Sequence, residues 1–105
     1  MIRPELIRDI EVLAGIELVY ANQKFPAFAS PHEGYAVLLE EFEELMDELR
    51  FFESYKRALW DGIKKNENVT QYVDGMEKSA IKTVAEAIQV AAMCKKYRDS
   101  LGRNG

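Results

Sequence analysis

From Pro31 to Trp60 the chain carries one glycine, Gly34, and no proline after the first position, and its apolar residues return at helical spacing. Leu38, Phe42, Leu45, Leu49 and Phe52 step by four and three residues, the seam of an amphipathic helix. A start signal precedes it. Ser30, Pro31, His32 and Glu33 read as an N-cap, a first-turn proline and an N3 glutamate, a capping box in which Ser30 and Glu33 satisfy each other's free N–H groups. The pattern continues through Tyr55 and Leu59 to Trp60; Asp61-Gly62 predicts a kink or break, and "KKNENVT" ends the element. At 1.5 Å per residue such a helix is about 45 Å long. A chain with so long an apolar seam has to cover it with other long helices or with a second copy of itself.

The rest of the sequence supplies helices and nothing else. Pro4 can open a first helix, and Leu6, Ile10, Leu13, Ile16, Leu18 and Tyr20 carry its period to about Ala21. "NQKFPAFASP", with two prolines, predicts a connection over residues 22–30. "DGME" predicts a third start with Asp74 as cap and Glu77 at N3, giving a helix from about Gly75 to Arg98. No segment alternates as a strand does. The expected fold is an all-α antiparallel bundle of three main helices in a single domain over residues 1–105, completed by oligomerisation to a homodimer or homotetramer. A net charge of −4 argues against general nucleic-acid binding, and no apolar run approaches a membrane span. Cys94, the lone cysteine, cannot form an internal disulfide, so a reducing cytoplasmic location is expected, with Cys94 a small buried hydrophobe.

"LLEEFEELMDEL", residues 38–49, raises the chemical question. Glu40, Glu43 and Asp47 fall opposite the seam and should be solvated. Glu41 borders it, and Glu44 and Glu48 continue along that flank, from which a carboxylate can reach a neighbouring helix. In the third helix "AEAIQVAAMC" is apolar nearly all round, predicting burial on more than one side, and only Glu86 and Gln89 interrupt it, on one face. A buried carboxylate needs a partner. No lysine or arginine lies between Glu33 and Arg50, so the long helix offers Glu41 and Glu44 instead. Either these groups gather around a hard divalent cation, Mg²⁺ or Mn²⁺, or Glu86 sits at a wet edge or pairs with Arg8 or Lys24.

Glu40-Glu41-x-x-Glu44 on one helix with Glu86-x-x-Gln89 on a later one resembles the signature of the MazG-like, all-α nucleoside triphosphate pyrophosphohydrolases. "SPHEGYAVLLEEFEELMDEL" with "EAIQVAAM" looks still more like short prophage-type members of that superfamily. The resemblance covers about residues 30–50 and 84–95. It implies an oligomeric helical bundle and Mg²⁺ held by helical carboxylates. It also implies hydrolysis of a nucleoside triphosphate to the monophosphate and pyrophosphate. Carried over by position, Glu41, Glu44, Glu86 and Gln89 would be metal ligands, and Glu40 and Glu41 the catalytic carboxylates, with Glu40 either a further ligand or an activator of the attacking water. Two features depart from the pattern. The last position is normally aspartate and is Gln89 here, and the connection between Glu44 and Glu86 is longer than usual. They leave room for a second expectation, a catalytically inactive helical module for nucleotide sensing or protein contact. Among basic residues that could meet a triphosphate, Lys56, Arg57, Lys64, Lys65, Lys82, Lys95 and Lys96 qualify by charge alone. Trp60 is expected to pack in the seam and His32 to lie at the surface.

Overall fold

The computed structural model describes residues 1–104, and the side chains of residues 1–102, as three helices and no strand: α1 (Pro4–Lys24), α2 (Pro31–Lys64) and α3 (Thr70–Asn104). The all-α three-helix bundle expected from periodicity is the observed architecture. α2 and α3 form a long antiparallel hairpin, and α1 packs on α3 and not on α2. No described helix is long and apolar enough to cross a membrane.

The expected break at Asp61-Gly62 does not occur; α2 runs through it to Lys64. Gly62 is there for contact rather than for bending. A methyl group on it would lie 2.7 Å from Cγ1 of Val69, so the missing side chain lets the hairpin turn fold back onto the helix. The stop comes at Asn66, whose φ of 56° is left-handed. The Asn66 N–H donates to the Ile63 carbonyl and the Glu67 N–H to the Gly62 carbonyl, the paired bonds of a Schellman ending. α3 then starts at Thr70, not Gly75. The Asn68 side-chain oxygen accepts the Thr70 N–H at 3.0 Å and its hydroxyl at 2.8 Å, so Asp74 lies inside the helix and caps nothing. α1 likewise runs three residues past Ala21, and α3 continues beyond Arg98.

At the start of α2 the Ser30 side chain accepts the Glu33 N–H at 3.1 Å, the first half of the capping box expected there. The seam, however, is rotated. Phe42 and Leu49, its expected centre, are 47% and 39% exposed, whereas Leu38, Glu41, Leu45, Glu48 and Phe52 are the half-buried positions. Glu41 and Glu48 thus stand on the stripe that meets α3, not beside it. α3 is covered less than its composition implies. Ala92 and Met93 are buried, but Val84, Ala85, Ala87 and Cys94 are exposed, so the expectation of burial on several sides, and of a buried Cys94, does not hold within one chain.

The core sits at one end of the hairpin. Phe28, Ala92 and Met93 are buried together, with Leu18, Ala21, Val37, Leu38 and Tyr97 packed around them. Phe28 belongs to the α1–α2 connection, which α3 fastens at two points, with a third bond to the first residue of α2. The Phe28 N–H donates to Ser100 Oγ at 3.1 Å, Tyr97 donates its hydroxyl proton to the Pro31 carbonyl at 2.6 Å, and Lys96 Nζ donates to the Phe25 carbonyl at 3.2 Å. The Phe28 and Tyr97 rings meet edge to face, 6.1 Å apart. The connection is therefore a fixed wall of whatever lies beneath it.

Candidate metal centre and adjoining cavity

Antiparallel packing brings the Glu41–Glu44 turn of α2 opposite Glu86 on α3. One carboxylate oxygen from each of Glu41, Glu44 and Glu86 lies within 4.8 Å of the other two. Glu41 and Glu86 are half-buried and Glu44 is exposed, so the group opens to solvent on one side. The alternative partners are engaged elsewhere: Arg8 pairs with Glu5 at 3.7 Å, and Lys24 lies over the Phe25 ring.

Like charges this close work against their own ionisation. Burial raises the pKa of Glu41, and the charges of Glu44, Glu86 and Glu40 add to it. Burial also raises that of Glu86, followed by the charge of Glu44, a hydrogen bond shared with the same carboxyl, and the charge of Glu48. Such a group has two ways to relax: share protons, or share a cation. Three oxygen donors with no nitrogen or sulfur among them suit Mg²⁺ or Mn²⁺.

Glu48, one turn further along α2, is held apart by Ser79. The Ser79 hydroxyl is buried and donates to the Glu48 carboxylate at 2.8 Å, with the Glu48 carbonyl also in reach at 3.3 Å. Glu40, expected to be solvated, is exposed beside Glu41. Gln89 stands one turn beyond Glu86 on the same face of α3.

Glu40, Glu41 and Gln89 line a cavity of about 540 Å³ between α2, α3, the end of α1 and the α1–α2 connection, together with Lys24, Phe25, Phe28 and Lys96. Of the seven basic residues named from sequence by charge alone, Lys96 is the one that lines this cavity. Only 4% of it is exposed, its Nζ lies 4.9 Å from the Phe28 ring centroid, and burial pushes its pKa below the ordinary lysine range while Glu33 pulls it back. One signal was available: Glu86, Gln89, Met93 and Lys96 follow helical spacing along one face. The two expectations for aromatic and imidazole side chains divide: His32 is at the surface as expected, but Trp60 is 60% exposed with Lys64 over its ring, not packed in the seam.

No protein-family model, curated protein or solved structure matches this chain.

Proposed function

We propose that the protein is a Mg²⁺- or Mn²⁺-dependent pyrophosphohydrolase that converts a nucleoside triphosphate to its monophosphate and pyrophosphate. The observation that carries this reading is the convergence of Glu41, Glu44 and Glu86 from two helices, with oxygens within 4.8 Å of one another, Glu41 also lining a cavity of about 540 Å³. The resemblance of residues 30–50 and 84–95 to the MazG-like pyrophosphohydrolases points the same way.

In this reading Glu41, Glu44 and Glu86 hold the cation, and the Gln89 side-chain carbonyl adds a neutral oxygen. When bound, the cation supplies charge neutralisation at phosphoryl oxygens. Glu40, exposed and adjacent to Glu41, accepts the proton of a water that attacks the α-phosphorus. The bond from that phosphorus to the bridging oxygen breaks, and pyrophosphate leaves with the electron pair. The test is pyrophosphate release from a panel of NTPs and dNTPs with Mg²⁺ or Mn²⁺. At least one substrate is turned over by the wild type, and Glu41→Gln and Glu86→Gln each lower its kcat/KM by at least about a hundredfold. Turnover that survives both substitutions contradicts the assignment.

One observation favours a second reading. Gln89 brings no charge where an aspartate would complete the acidic set. A helical module that binds cation and nucleotide without hydrolysing it would then remain, recognised by Mn²⁺-dependent thermal stabilisation with no pyrophosphate released from any substrate.

The reading includes a homodimer, or a tetramer built from it. The chain exposes 7823 Å², whereas a compact folded protein of 12.0 kDa exposes about 6,000 Å². The excess, about 1,800 Å², exceeds the roughly 800 Å² that each partner buries in a standard interface. It includes two apolar stripes at helical spacing, Leu6, Leu13, Ile16 and Tyr20 on α1 and Tyr35, Leu39, Phe42 and Leu49 on α2.

A further inference from the structure

The cavity that opens beside the carboxylates has two unlike ends. At Glu40 and Glu41 it is acidic; toward the α1–α2 connection it becomes aromatic and apolar, with Phe25, Phe28, Val37 and Met93 around the buried Lys96, and with Lys24 and Glu33, of opposite charge, also on its lining. Lys96 follows Glu86, which stands beside Glu41 and Glu44, by ten residues on α3, so the carboxylate cluster and the Lys96 end lie about 15 Å apart along the axis. A ligand that spans them needs a phosphate-bearing end for the cation site and a flat, largely apolar end with a hydrogen-bond acceptor. A nucleotide has that shape. The reverse orientation would put the base among the carboxylates and take the phosphates away from the cation that Glu41, Glu44 and Glu86 would hold.

We propose that the Lys96 end of this cavity is a nucleobase pocket in which the exposed Phe25 ring flanks the base, the buried Phe28 closes the floor and Lys96 donates a hydrogen bond to a carbonyl oxygen of the base, so that oxo-bases are preferred and adenine is disfavoured. This assignment rests on the pyrophosphohydrolase reading for the orientation of the ligand, but not for the pocket. The selectivity follows from what Lys96 offers. Its ammonium has three donor hydrogens and no acceptor, and the Phe25 carbonyl at 3.2 Å takes one. The strongest acceptors on a nucleobase are its carbonyl oxygens, which uracil, thymine, cytosine, guanine and hypoxanthine carry and adenine does not. A buried polar group left without its partner penalises the ligand that lacks it. Lys96 is fixed over Phe28 and against the connection, so it cannot swing out to solvent to escape that penalty.

Inosine and adenosine form a matched pair, differing at the purine C6 edge by a carbonyl against an amine. The experiment titrates both, and uridine, into the full-length protein without metal, following amide and Met93 methyl signals by NMR. Saturable shifts at Phe25, Phe28, Met93 and Lys96 are expected with inosine and uridine, and about tenfold weaker binding with adenosine. Lys96→Met keeps the stem and removes the donor, so inosine and uridine should weaken to the adenosine level while adenosine is unchanged; a purely structural lysine would weaken all three alike. Should that variant misfold, the wild-type ranking and Phe25→Leu, which alters a largely exposed ring and should weaken all three nucleosides, still decide. No nucleoside shift at these residues, adenosine binding as tightly as inosine, or inorganic triphosphate shifting the Lys96 end instead would each overturn the proposal. Turnover of triphosphates without nucleoside binding would sink the pocket and spare the hydrolase; nucleoside binding without turnover would do the opposite.

Discussion

Glu86 shows how far a single residue can be interpreted from its neighbours in sequence. Set among alanines and valines, it announced a need for a partner, and Glu41 and Glu44 are the groups that lie beside it. The pH consequence follows from the raised pKa values of Glu41 and Glu86. In the unfolded chain both titrate near the ordinary value of about 4.3, and in the folded, metal-free protein they hold their protons to higher pH. The folded state then binds more protons between the two values, so the contribution of these groups to stability is present below the unfolded pKa and lost as pH rises through the folded one. Thermal unfolding without metal should show Glu86→Gln and Glu41→Gln melting above the wild type at pH 7, an advantage that shrinks toward pH 4 and reverses when Mn²⁺ is added. A variant that melts below the wild type at pH 7 without metal would contradict the repulsion. Gln89→Asp adds a charge to the same wall and should tighten Mn²⁺ binding measured by calorimetry. Lys96 was less legible than Glu86 because lysine on a helix is ordinarily solvated; only the α1–α2 connection, folding over α3, buries it.

At the scale of elements, local chemistry was readable and tertiary chemistry was not. Ser30 is a cap because its own side chain reaches Glu33, and sequence alone carries that information. Ser30→Ala should cost about 1 kcal/mol in denaturant unfolding. Asn66 adopts a left-handed backbone that asparagine tolerates and alanine does not. Asn66→Ala should therefore lose about 1 kcal/mol while Asn66→Gly loses none. Equal stability of the alanine and glycine variants would show that the turn is not where α2 is terminated. Gly62 resembled a breaker only because its reason for being glycine, the Val69 and Tyr72 side chains lying across it, comes from residues beyond the turn. The rotated seam has a similar cause. α2 carries two apolar stripes, and the expected seam took residues from both; the one through Leu38, Leu45 and Phe52 is the more buried, and the one through Leu39, Phe42 and Leu49 stays exposed, its Leu39 and Phe42 along a groove that Val90 and Cys94 also line.

As a whole molecule the protein is extended, 59 × 30 × 23 Å, with a radius of gyration of 17.6 Å against about 13 Å for a compact chain of this length. Two helices of 34 and 35 residues outrun the 21 residues of α1, which covers only part of the hairpin. Sedimentation equilibrium should give at least twice the 12.0 kDa chain mass, and Phe42→Lys should shift the distribution toward monomer. A wild type that stays at the monomer mass at micromolar concentration would contradict closure by a second copy. The central claim, that α2 and α3 hold one divalent cation between them, is tested most directly by anomalous diffraction from crystals grown with Mn²⁺. A peak about 2.2 Å from carboxylate oxygens of Glu41, Glu44 and Glu86 is the expected result; a map with no peak among these three side chains, at Mn²⁺ concentrations that label other positions, would contradict it.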